Sequence, residues 1–236
     1  MGVRYAEARE RLRNASAVAV LTGAGISAES GIPTFRGAGG LWRSFRAEDL
    51  ATPEAFARDP KLVWEWYDWR RGLIAAAQPN AGHRALAELE RRKDNFSLIT
   101  QNVDGLHDRA GSRNLLKVHG DIWTIRCTGC GMERDDRQTP LEKIPPRCSC
   151  GALERPGVVW FGEGLPDEVW SRAQHAALRA DVLLVVGTSA VVYPAAGLAG
   201  LAKTVIEINV AETPVSAGAD FSLRGPAAEI LPELVA

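Results

Sequence analysis

Three features that would place this chain in a specialised class are missing from it. No excess of one charge exists, because 28 Lys and Arg residues face 29 Asp and Glu residues, and the formal net charge is −1. Such a balance provides no general cationic field for phosphate backbones or anionic lipid. Long apolar runs are also missing, since even Ala195–Ala202 is far shorter than the roughly 20 residues that span a bilayer. We therefore expect neither a nucleic-acid partner nor a membrane partner.

The third missing feature is a targeting signal. Residues 1–5 run into the charged stretch Glu7–Arg13 without an apolar segment, so we expect no secretory leader. Ala6 occupies the position at which N-myristoylation requires Ser or Thr. The remaining composition is ordinary for a globular chain of 236 residues, with 46% hydrophobic and 24% charged residues. We predict a soluble, cytoplasmic and monomeric protein.

Short apolar runs rich in Val and Ile alternate with segments that have the spacing of helices. Continuous apolarity is typical of strands buried on both faces of a parallel sheet, so the alternation predicts a doubly wound, Rossmann-like α/β fold. The predicted strands are Ala17–Thr22, Phe96–Thr100, Leu115–Val118, Val158–Phe161, Val182–Val186 and Val205–Ile208. The predicted helices are Tyr5–Asn14, Leu62–Ala77, His83–Lys93, Asp167–Ala180, Pro194–Leu201 and Ala227–Val235.

Two segments interrupt this alternation. Residues 37–78 are rich in Gly and then in Trp, and residues 120–156 contain every cysteine of the chain. We interpret both as insertions that form a smaller lobe beside the carboxyl ends of the strands, where open α/β sheets bind ligands. Residues 1–236 then form a single domain, whose large lobe comprises 1–36, 79–119 and 157–236.

The four cysteines form two close pairs, Cys127-x-x-Cys130 and Cys148-x-Cys150, each followed by Gly. Such pairs present two sulfurs each to one tetrahedral Zn²⁺, and four thiolates leave no open position for water. Disulfides are the alternative, which a cytoplasmic location disfavours. Residues 120–156 carry as many cations as anions, so a nucleic-acid module is not indicated. We predict a zinc ribbon with one structural Zn²⁺.

A glycine-rich turn follows the first predicted strand. Gly23-Ala24-Gly25-Ile26-Ser27-Ala28 fits the G-x-G-x-x-G/A spacing with which backbone approaches a pyrophosphate. The alternative is a plain tight turn between strand and helix. Pro33 ends the following helix early, and no acidic residue ends a second strand about 20 residues on, as dinucleotide-binding folds usually have. The pattern predicts dinucleotide binding, but not in the manner of a dehydrogenase.

The run GAGISAESGIPTFRG, residues 23–37, resembles the signature of the sirtuins, which are NAD-dependent protein-lysine deacylases. Further blocks resemble that family in the same order along the chain. They are Gln101–His107 (QNVDGLH), Val118–Gly120 (VHG), Val158–Glu163 (VVWFGE), Gly187–Ser189 (GTS) and Ile208–Asn209. The resemblance extends from about residue 10 to the C-terminus.

The resemblance implies an NAD site. In it Asn102 and Asp104 line the nicotinamide pocket, Gln101 holds the nicotinamide ribose, and Phe35 and Arg36 belong to a cover. The implied NAD-binding residues are Gly23, Ala24, Gly25, Ser27, Ala28, Thr34, Phe35, Arg36, Trp42, Gln101, Asn102, Asp104, Gly187, Thr188, Ser189, Asn209, Val210, Ala211 and Ala227.

The resemblance also implies the reaction and its catalytic residues, His119 and Asn102. A histidine suits proton abstraction at neutral pH, and His119 follows a predicted strand at the edge where the cleft is expected. Its role as general base is implied by the resemblance, and a structural histidine is the alternative. The implied products are nicotinamide, O-acyl-ADP-ribose and free lysine. An NAD glycohydrolase or ADP-ribosyltransferase, or a non-catalytic NAD sensor, would use the same pocket.

The pair Tyr67 and Arg70 lies three residues apart, on one face of a predicted helix. It resembles the Tyr-x-x-Arg of class III sirtuins, which implies that Arg70 pairs with the distal carboxylate of a malonyl- or succinyl-lysine while Tyr67 adds a hydrogen bond. The alternative is a solvated helix arginine. Ala38 leaves room beside the acyl group. The resemblance further implies a channel for the acylated lysine, lined by Val158, Val159, Trp160, Phe161 and Gly162.

Overall fold

The computed structural model describes residues 2–34, 41–42 and 45–236. The helices are α1 (Gly2–Asn14), α2 (Gly25–Ala28), α3 (Ala47–Leu50), α4 (Pro53–Arg58), α5 (Pro60–Ala76), α6 (Ala81–Arg92), α7 (Leu106–Ala110), α8 (Asp167–Arg179) and α9 (Ala227–Val235). The strands are β1 (Ala17–Thr22), β2 (Leu41–Trp42), β3 (Phe45–Arg46), β4 (Asn95–Thr100), β5 (Leu115–Lys117), β6 (Gly120–Cys127), β7 (Glu133–Asp135), β8 (Glu154–Val158), β9 (Val182–Val186), β10 (Val205–Asn209) and β11 (Phe221–Arg224). A 3₁₀ helix covers Ala195–Gly200.

Six strands form one parallel sheet in the order β11-β10-β9-β1-β4-β5. The central strand is β1, in which Val18 lies opposite Phe96 of β4 and opposite Val182 of β9. Helices α1, α6 and α9 pack on one face of the sheet, and α8 with the 3₁₀ helix packs on the other. This arrangement confirms the doubly wound, Rossmann-like prediction.

The alternation of side chains along β1 shows why its sequence is continuously apolar. Val18 and Val20 point into the core shared with α1, α6 and α9, whereas Ala19 and Leu21 point into the core shared with α8. All four are buried, with exposed fractions of 3% or less. A strand covered on both faces has no polar side, which is the property that the prediction used.

A second, smaller core joins the two insertions. It contains residues of α4 and α5 together with residues of β6 and the segment after β8. Helix α5 is attached to the small sheet by the Trp64 indole, which donates to the Glu154 carbonyl at 2.7 Å. The fully buried Arg71 donates to the carbonyl of Asp136 and lies 5.2 Å from the ring centre of Trp123. The helix that carries Tyr67 and Arg70 therefore rests on the cysteine-bearing lobe.

The small sheet is antiparallel, in the order β7-β6-β8. This corrects the prediction of a strand at Val158–Phe161 within the large sheet, because the strand is Glu154–Val158 and its partner is β6. Two glycines permit the pairing: a Cβ on Gly120 would lie 2.2 Å from the Gly157 carbonyl oxygen. An apolar run alone does not show which sheet it joins.

Within the described residues, none of the helices has the length and apolarity needed to cross a bilayer.

Candidate active site

The carboxyl ends of the parallel strands carry most of the predicted NAD-binding residues. Gly23 follows β1, Gln101 follows β4, Gly187 follows β9 and Asn209 ends β10. Because parallel strands end at one edge of the sheet, these residues meet there although up to 186 positions separate them (209 − 23). The structure thus brings together residues that the sequence only places at separate strand ends.

Two of the glycine-rich turns are in direct backbone contact. The Gly23 amide donates to the Val186 carbonyl at 3.0 Å, and the Gly25 amide donates to the Gly187 carbonyl at 2.7 Å. A Cβ on Gly25 would lie 2.7 Å from the Cα of Gly187, so no side chain fits between the turns. Gly187 itself has φ +58°, a conformation that glycine adopts without strain. The glycines are therefore required by the packing of the protein itself.

Backbone amides remain available at this edge for an anionic group. Within the described part of the chain, the amides of Ala24 and Ala227 have no hydrogen-bond acceptor. The amide of Ala228 is already taken by the Glu29 carboxylate at 2.8 Å. Unused backbone donors such as these can bind phosphate oxygens or the acceptor nitrogens of a base.

His119 lies in the two-residue connection between β5 and β6, and a backbone carbonyl fixes the orientation of its ring. Nδ1 lies 3.0 Å from the carbonyl oxygen of Gln101, and a carbonyl only accepts, so Nδ1 carries the proton. In the neutral ring Nε2 is then the basic nitrogen. Nε2 has no partner among the described residues and is not sealed from solvent. Burial lowers the pKa of His119 below its ordinary value of 6.5, and the hydrogen bond to Gln101 opposes this in part.

Asn102 and Asp104 are held by a buried network beside that histidine. The amide nitrogen of Asn102 donates to the Gly23 carbonyl at 3.0 Å, which leaves its amide oxygen open to solvent. The Ser27 hydroxyl donates to Asp104 Oδ2 at 2.8 Å, and the Leu106 amide donates to Oδ1 at 2.8 Å. Burial raises the pKa of Asp104. An amide oxygen and a carboxylate are thus held close together, and both can accept hydrogen bonds from a carboxamide NH₂.

The network extends to two histidines that sequence reasoning did not assign to the site. His83 is completely buried on α6, and its Nε2 lies 3.4 Å from the Ser27 hydroxyl. The rings of His83 and His107 lie 4.8 Å apart. Burial lowers the pKa of His83 to about 4, so the ring is neutral. No sequence signal placed it behind Ser27.

The residues predicted to hold the adenosine part of NAD lie at the carboxyl ends of β9 and β10 and at the start of α9. Thr188 is buried and accepts from the Gln101 side chain at 3.0 Å, while Asn209 donates to the Thr188 carbonyl at 2.8 Å. Val210 and Ala211 are exposed beyond this point, as is Ser189, and Ala227 is buried at the start of α9.

Glu207 is a second residue that the sequence reasoning missed. It is fully buried in β10 and accepts hydrogen bonds from Ser216 (2.6 Å), Ser222 (2.9 Å) and Arg224 (2.9 Å). Burial alone raises the pKa of this carboxyl, but the hydrogen bonds lower it overall. They tie the segment after Asn209 to the sheet. A charged residue inside the apolar run 205–208 was the available signal.

The remaining residues predicted to bind NAD lie in and after α2. Ala28 is exposed at the end of α2, and Thr34 is partly buried. Phe35, Arg36, Ala38 and the side chain of Trp42 fall outside the described residues.

The four cysteine sulfurs of the small lobe lie within 4.8 Å of one another. Cys127 Sγ is 3.4 Å from Cys150 Sγ, and Cys130 Sγ is 3.8 Å from Cys148 Sγ. Sulfurs on a tetrahedral zinc with bonds of about 2.3 Å lie about 3.8 Å apart, so the set fits one Zn²⁺. The amide of Cys130, and to a lesser degree that of Gly129, lowers the pKa of Cys127 to about 6, which favours the thiolate.

The predicted acyl-lysine channel lies where the small lobe meets the large one. Phe161 is exposed (46%), Gly162 has φ +86°, and Val158 is buried. The Trp160 side chain is only 2% exposed and packs on Phe56 with ring centres 5.3 Å apart. Its indole therefore lies behind the channel rather than on its surface. The Val159 amide donates to the His119 carbonyl at 2.9 Å.

Tyr67 and Arg70 occupy one face of α5, as their spacing predicts. Tyr67 is 2% exposed, and its oxygen accepts from the Trp160 indole at 2.9 Å. Arg70 is partly buried, and its guanidinium lies 5.1 Å from the ring centre of Trp66. Burial raises the pKa of Asp104, one of the residues predicted to bind nicotinamide, and the charge of Arg70 lowers it in part.

Sheet, glycine turns and cysteine cluster together define a two-lobed α/β protein with a nucleotide-type cleft and a metal site. A model of the Sir2 family matches residues 23–194. An NAD-dependent protein deacylase of Aquifex aeolicus is 60% identical over 212 residues, covering 88% of this chain and 89% of that protein. NAD-dependent protein deacylase 2 of Pyrobaculum aerophilum is 56% identical over 221 residues, covering 92% and 88%.

Solved structures agree with these relatives. A crystal structure of a Sir2 homologue–NAD complex superposes with a TM-score of 0.93 at 51% identity, covering 98% of this chain and 92% of that chain. A mutant of a Sir2 homologue in complex with ADP-ribose has a TM-score of 0.93 at 51% identity, covering 97% and 94%. The chain belongs to the Sir2 family.

Proposed function

We propose that this protein is an NAD-dependent protein-lysine deacylase that removes succinyl, malonyl and acetyl groups. The reaction consumes NAD, acyl-lysine and one water, and it yields nicotinamide, O-acyl-ADP-ribose and free lysine. The observation that carries the proposal is the basic Nε2 of His119, oriented by the Gln101 carbonyl and open to the cleft. The names of the Aquifex and Pyrobaculum relatives support the same activity.

The contributions of the chain to this reaction follow from its contacts. When bound, NAD supplies the activated ribose carbon to which the acyl oxygen is transferred. Asn102 and Asp104 bind and orient the carboxamide end, because they offer an open amide oxygen and a carboxylate. His119 removes a proton from a ribose hydroxyl through Nε2, and Nδ1 remains bonded to Gln101 throughout.

The acyl preference rests on the cation in α5. Arg70 lies partly buried with its guanidinium 5.1 Å from the ring centre of Trp66, and burial lowers its pKa, so a carboxylate that stabilises the charged form is a favourable partner. Succinyl and malonyl groups carry that carboxylate, whereas acetyl does not. We therefore assign Arg70 to recognition of acidic acyl groups.

A mass-spectrometric product assay tests the function and the acyl preference together. Wild type is incubated with NAD and either a succinylated or an acetylated lysine peptide of the same sequence. We expect O-succinyl- and O-acetyl-ADP-ribose, and we expect Arg70→Met to lower the ratio of desuccinylation to deacetylation at least about tenfold. Effects common to both substrates cancel in this ratio.

Other products would contradict the proposal. Free ADP-ribose without an acyl group would identify an NAD glycohydrolase, and ADP-ribose attached to the peptide would identify an ADP-ribosyltransferase. NAD binding without turnover would identify a sensor. An unchanged ratio in Arg70→Met would remove the acyl preference while leaving deacylation intact.

We further propose that the protein acts as a monomer in the cytoplasm on acylated lysines of other proteins. Four cysteines that are not joined by disulfides and fit a zinc ion support a reducing compartment.

A further inference from the structure

The hydrogen bond between Trp160 and Tyr67 links the loop after β8 to the acyl-reading helix. Trp160 Nε1 lies 2.9 Å from the Tyr67 hydroxyl oxygen, and both side chains are nearly fully buried. An indole nitrogen only donates, so the phenol oxygen must accept. The proton of the Tyr67 hydroxyl is therefore turned away from Trp160 and has to find another acceptor.

Within the described residues no group accepts that proton. The charged groups that act on Tyr67 are Arg70, Arg155 and Glu163. Both arginines only donate. The carboxylate of Glu163 accepts from Arg155 at 2.5 and 2.9 Å and from the Trp160 amide at 2.8 Å, and it acts on Tyr67 through its charge and not through a hydrogen bond. Burial raises the pKa of Tyr67 to about 12, so the hydroxyl keeps its proton as a donor.

The indole that orients this hydroxyl is itself held rigidly. The buried guanidinium of Arg155 lies 3.4 Å from the ring centre of Trp160 and also donates to the Val158 carbonyl at 2.9 Å. The Trp160 amide is fixed by Glu163. Ring and backbone are thus both restrained, so the direction of the indole N–H is set by the loop and not by a ligand.

We infer that Trp160 is a positioning residue for acyl selectivity, whose indole N–H aims the Tyr67 proton at the carboxylate of an acidic acyl group. Arg70 and Tyr67 then offer two donors from one helix face. The inference rests on the proposed function, because the acceptor of the Tyr67 proton is the carboxylate of the succinyl or malonyl group that the proposed function brings to the site.

The test is Trp160→Phe, which keeps an aromatic ring and removes the indole N–H. Rates are measured with succinylated, acetylated and butyrylated forms of one lysine peptide, butyryl being the uncharged four-carbon relative of succinyl. We expect kcat/KM for succinyl, relative to acetyl and to butyryl, to fall roughly three- to tenfold, because without the indole N–H the Tyr67 hydroxyl is misdirected and its charge-assisted bond to the acyl carboxylate is weakened. The loss should lie in KM, because the bond acts on the bound acyl group.

Tyr67→Phe and the double variant separate positioning from packing. If Trp160 acts only through the Tyr67 hydroxyl, the double variant loses no more succinyl selectivity than Tyr67→Phe alone. Phe56→Leu is the packing control, since it disturbs the Trp160 ring without touching the hydrogen bond, and it should leave the ratio as in wild type. Thermal unfolding of each variant confirms that the small lobe is folded.

Each outcome decides the inference. Equal losses on all three acyl groups, or additive losses in the double variant, would overturn it while desuccinylation by wild type and its sensitivity to Arg70→Met stand. Absence of desuccinylation in wild type would overturn the acyl preference in the proposed function, and the inference with it.

Discussion

At the scale of single residues, the imidazole of His119 is prepared for its role by one backbone carbonyl. The contact to Gln101 selects the tautomer, and burial disfavours the charged ring. The other two buried histidines are different, because the pKa of His83 is lowered to about 4 and that of His107 is also lowered well below its ordinary value by burial. His119 is therefore the histidine among these three that is suited to exchange a proton near neutral pH.

This predicts the pH dependence of the reaction. Since the pKa of His119 is lowered, the basic, neutral ring persists to lower pH, and activity is lost as pH falls through that lowered value. A profile of kcat/KM for an acetylated peptide should rise to a plateau with an apparent pKa below 6.5. His119→Ala should retain NAD binding, measured by calorimetry, and lose turnover. An inflection above 6.5, or full activity in the alanine variant, would assign the proton transfer elsewhere.

The residue types of the site could be predicted from the sequence, but their orientations could not. Motifs placed His119, Asn102 and Asp104 at strand ends, because Gly and polar residues interrupt apolar runs there. No motif shows that the Trp160 indole turns inward to Tyr67, since that direction depends on the guanidinium of Arg155 in β8 and on the carboxylate of Glu163 in the loop that follows. Orientation is set by long-range contacts, and a single sequence does not report these.

At the scale of elements, the turns after β1 and β9 depend on each other. Each supplies glycine to one backbone-to-backbone contact, which holds both turns at the cleft edge. The apolar strands that lead into them, β1 and β9, were predicted closely, because strands buried on both faces are continuously apolar. β11 was missed because Phe221–Arg224 is a short edge strand with one buried residue.

The contact between the turns can be tested with Gly25→Ala. The added Cβ would lie 2.7 Å from Gly187 Cα, which is backbone and cannot move aside easily, so we expect a loss of about 1–3 kcal/mol in the free energy of unfolding. NAD affinity should fall as well, because both turns are displaced. Gly200→Ala is the matched control, since nothing lies within 4 Å of its added Cβ. Urea titrations showing equal stability for the two variants would argue against the contact.

At the scale of the whole molecule, the small lobe has its own core and its own metal site. α5 rests on β8 through Trp64 and on β6 through Arg71, whose guanidinium lies 5.2 Å from the ring centre of Trp123. The support for Tyr67 and Arg70 therefore reaches back to the strand that ends at Cys127. The cysteine spacing predicted the ligand set correctly in kind, because two close pairs have few other uses in a reducing compartment. The attachment of α5 to that lobe needed the structure.

Removal of the metal should therefore destabilise the small lobe. We expect one zinc per chain by elemental mass spectrometry, and we expect Cys130→Ser to lower zinc content. A cost of at least about 2 kcal/mol would lower the midpoint of thermal unfolding by roughly 4–8 °C for a chain of this size. Ser149→Ala, between two of the ligands, is the control. Full zinc content and an unchanged midpoint in Cys130→Ser would show that the cysteines serve another purpose.

The carbonyl of His119, which accepts from the Val159 amide, has a consequence for engineering. Replacing residues 159–163 with a loop from a different protein, in order to change target choice, would also displace the backbone of His119, the proposed base. A grafted loop that does not preserve the hydrogen bond from residue 159 to the His119 carbonyl is expected to lower the reaction rate with every target, whatever the new loop recognises. The junction of a chimera is therefore better placed before β5, so that His119 is transferred together with the loop that contacts it.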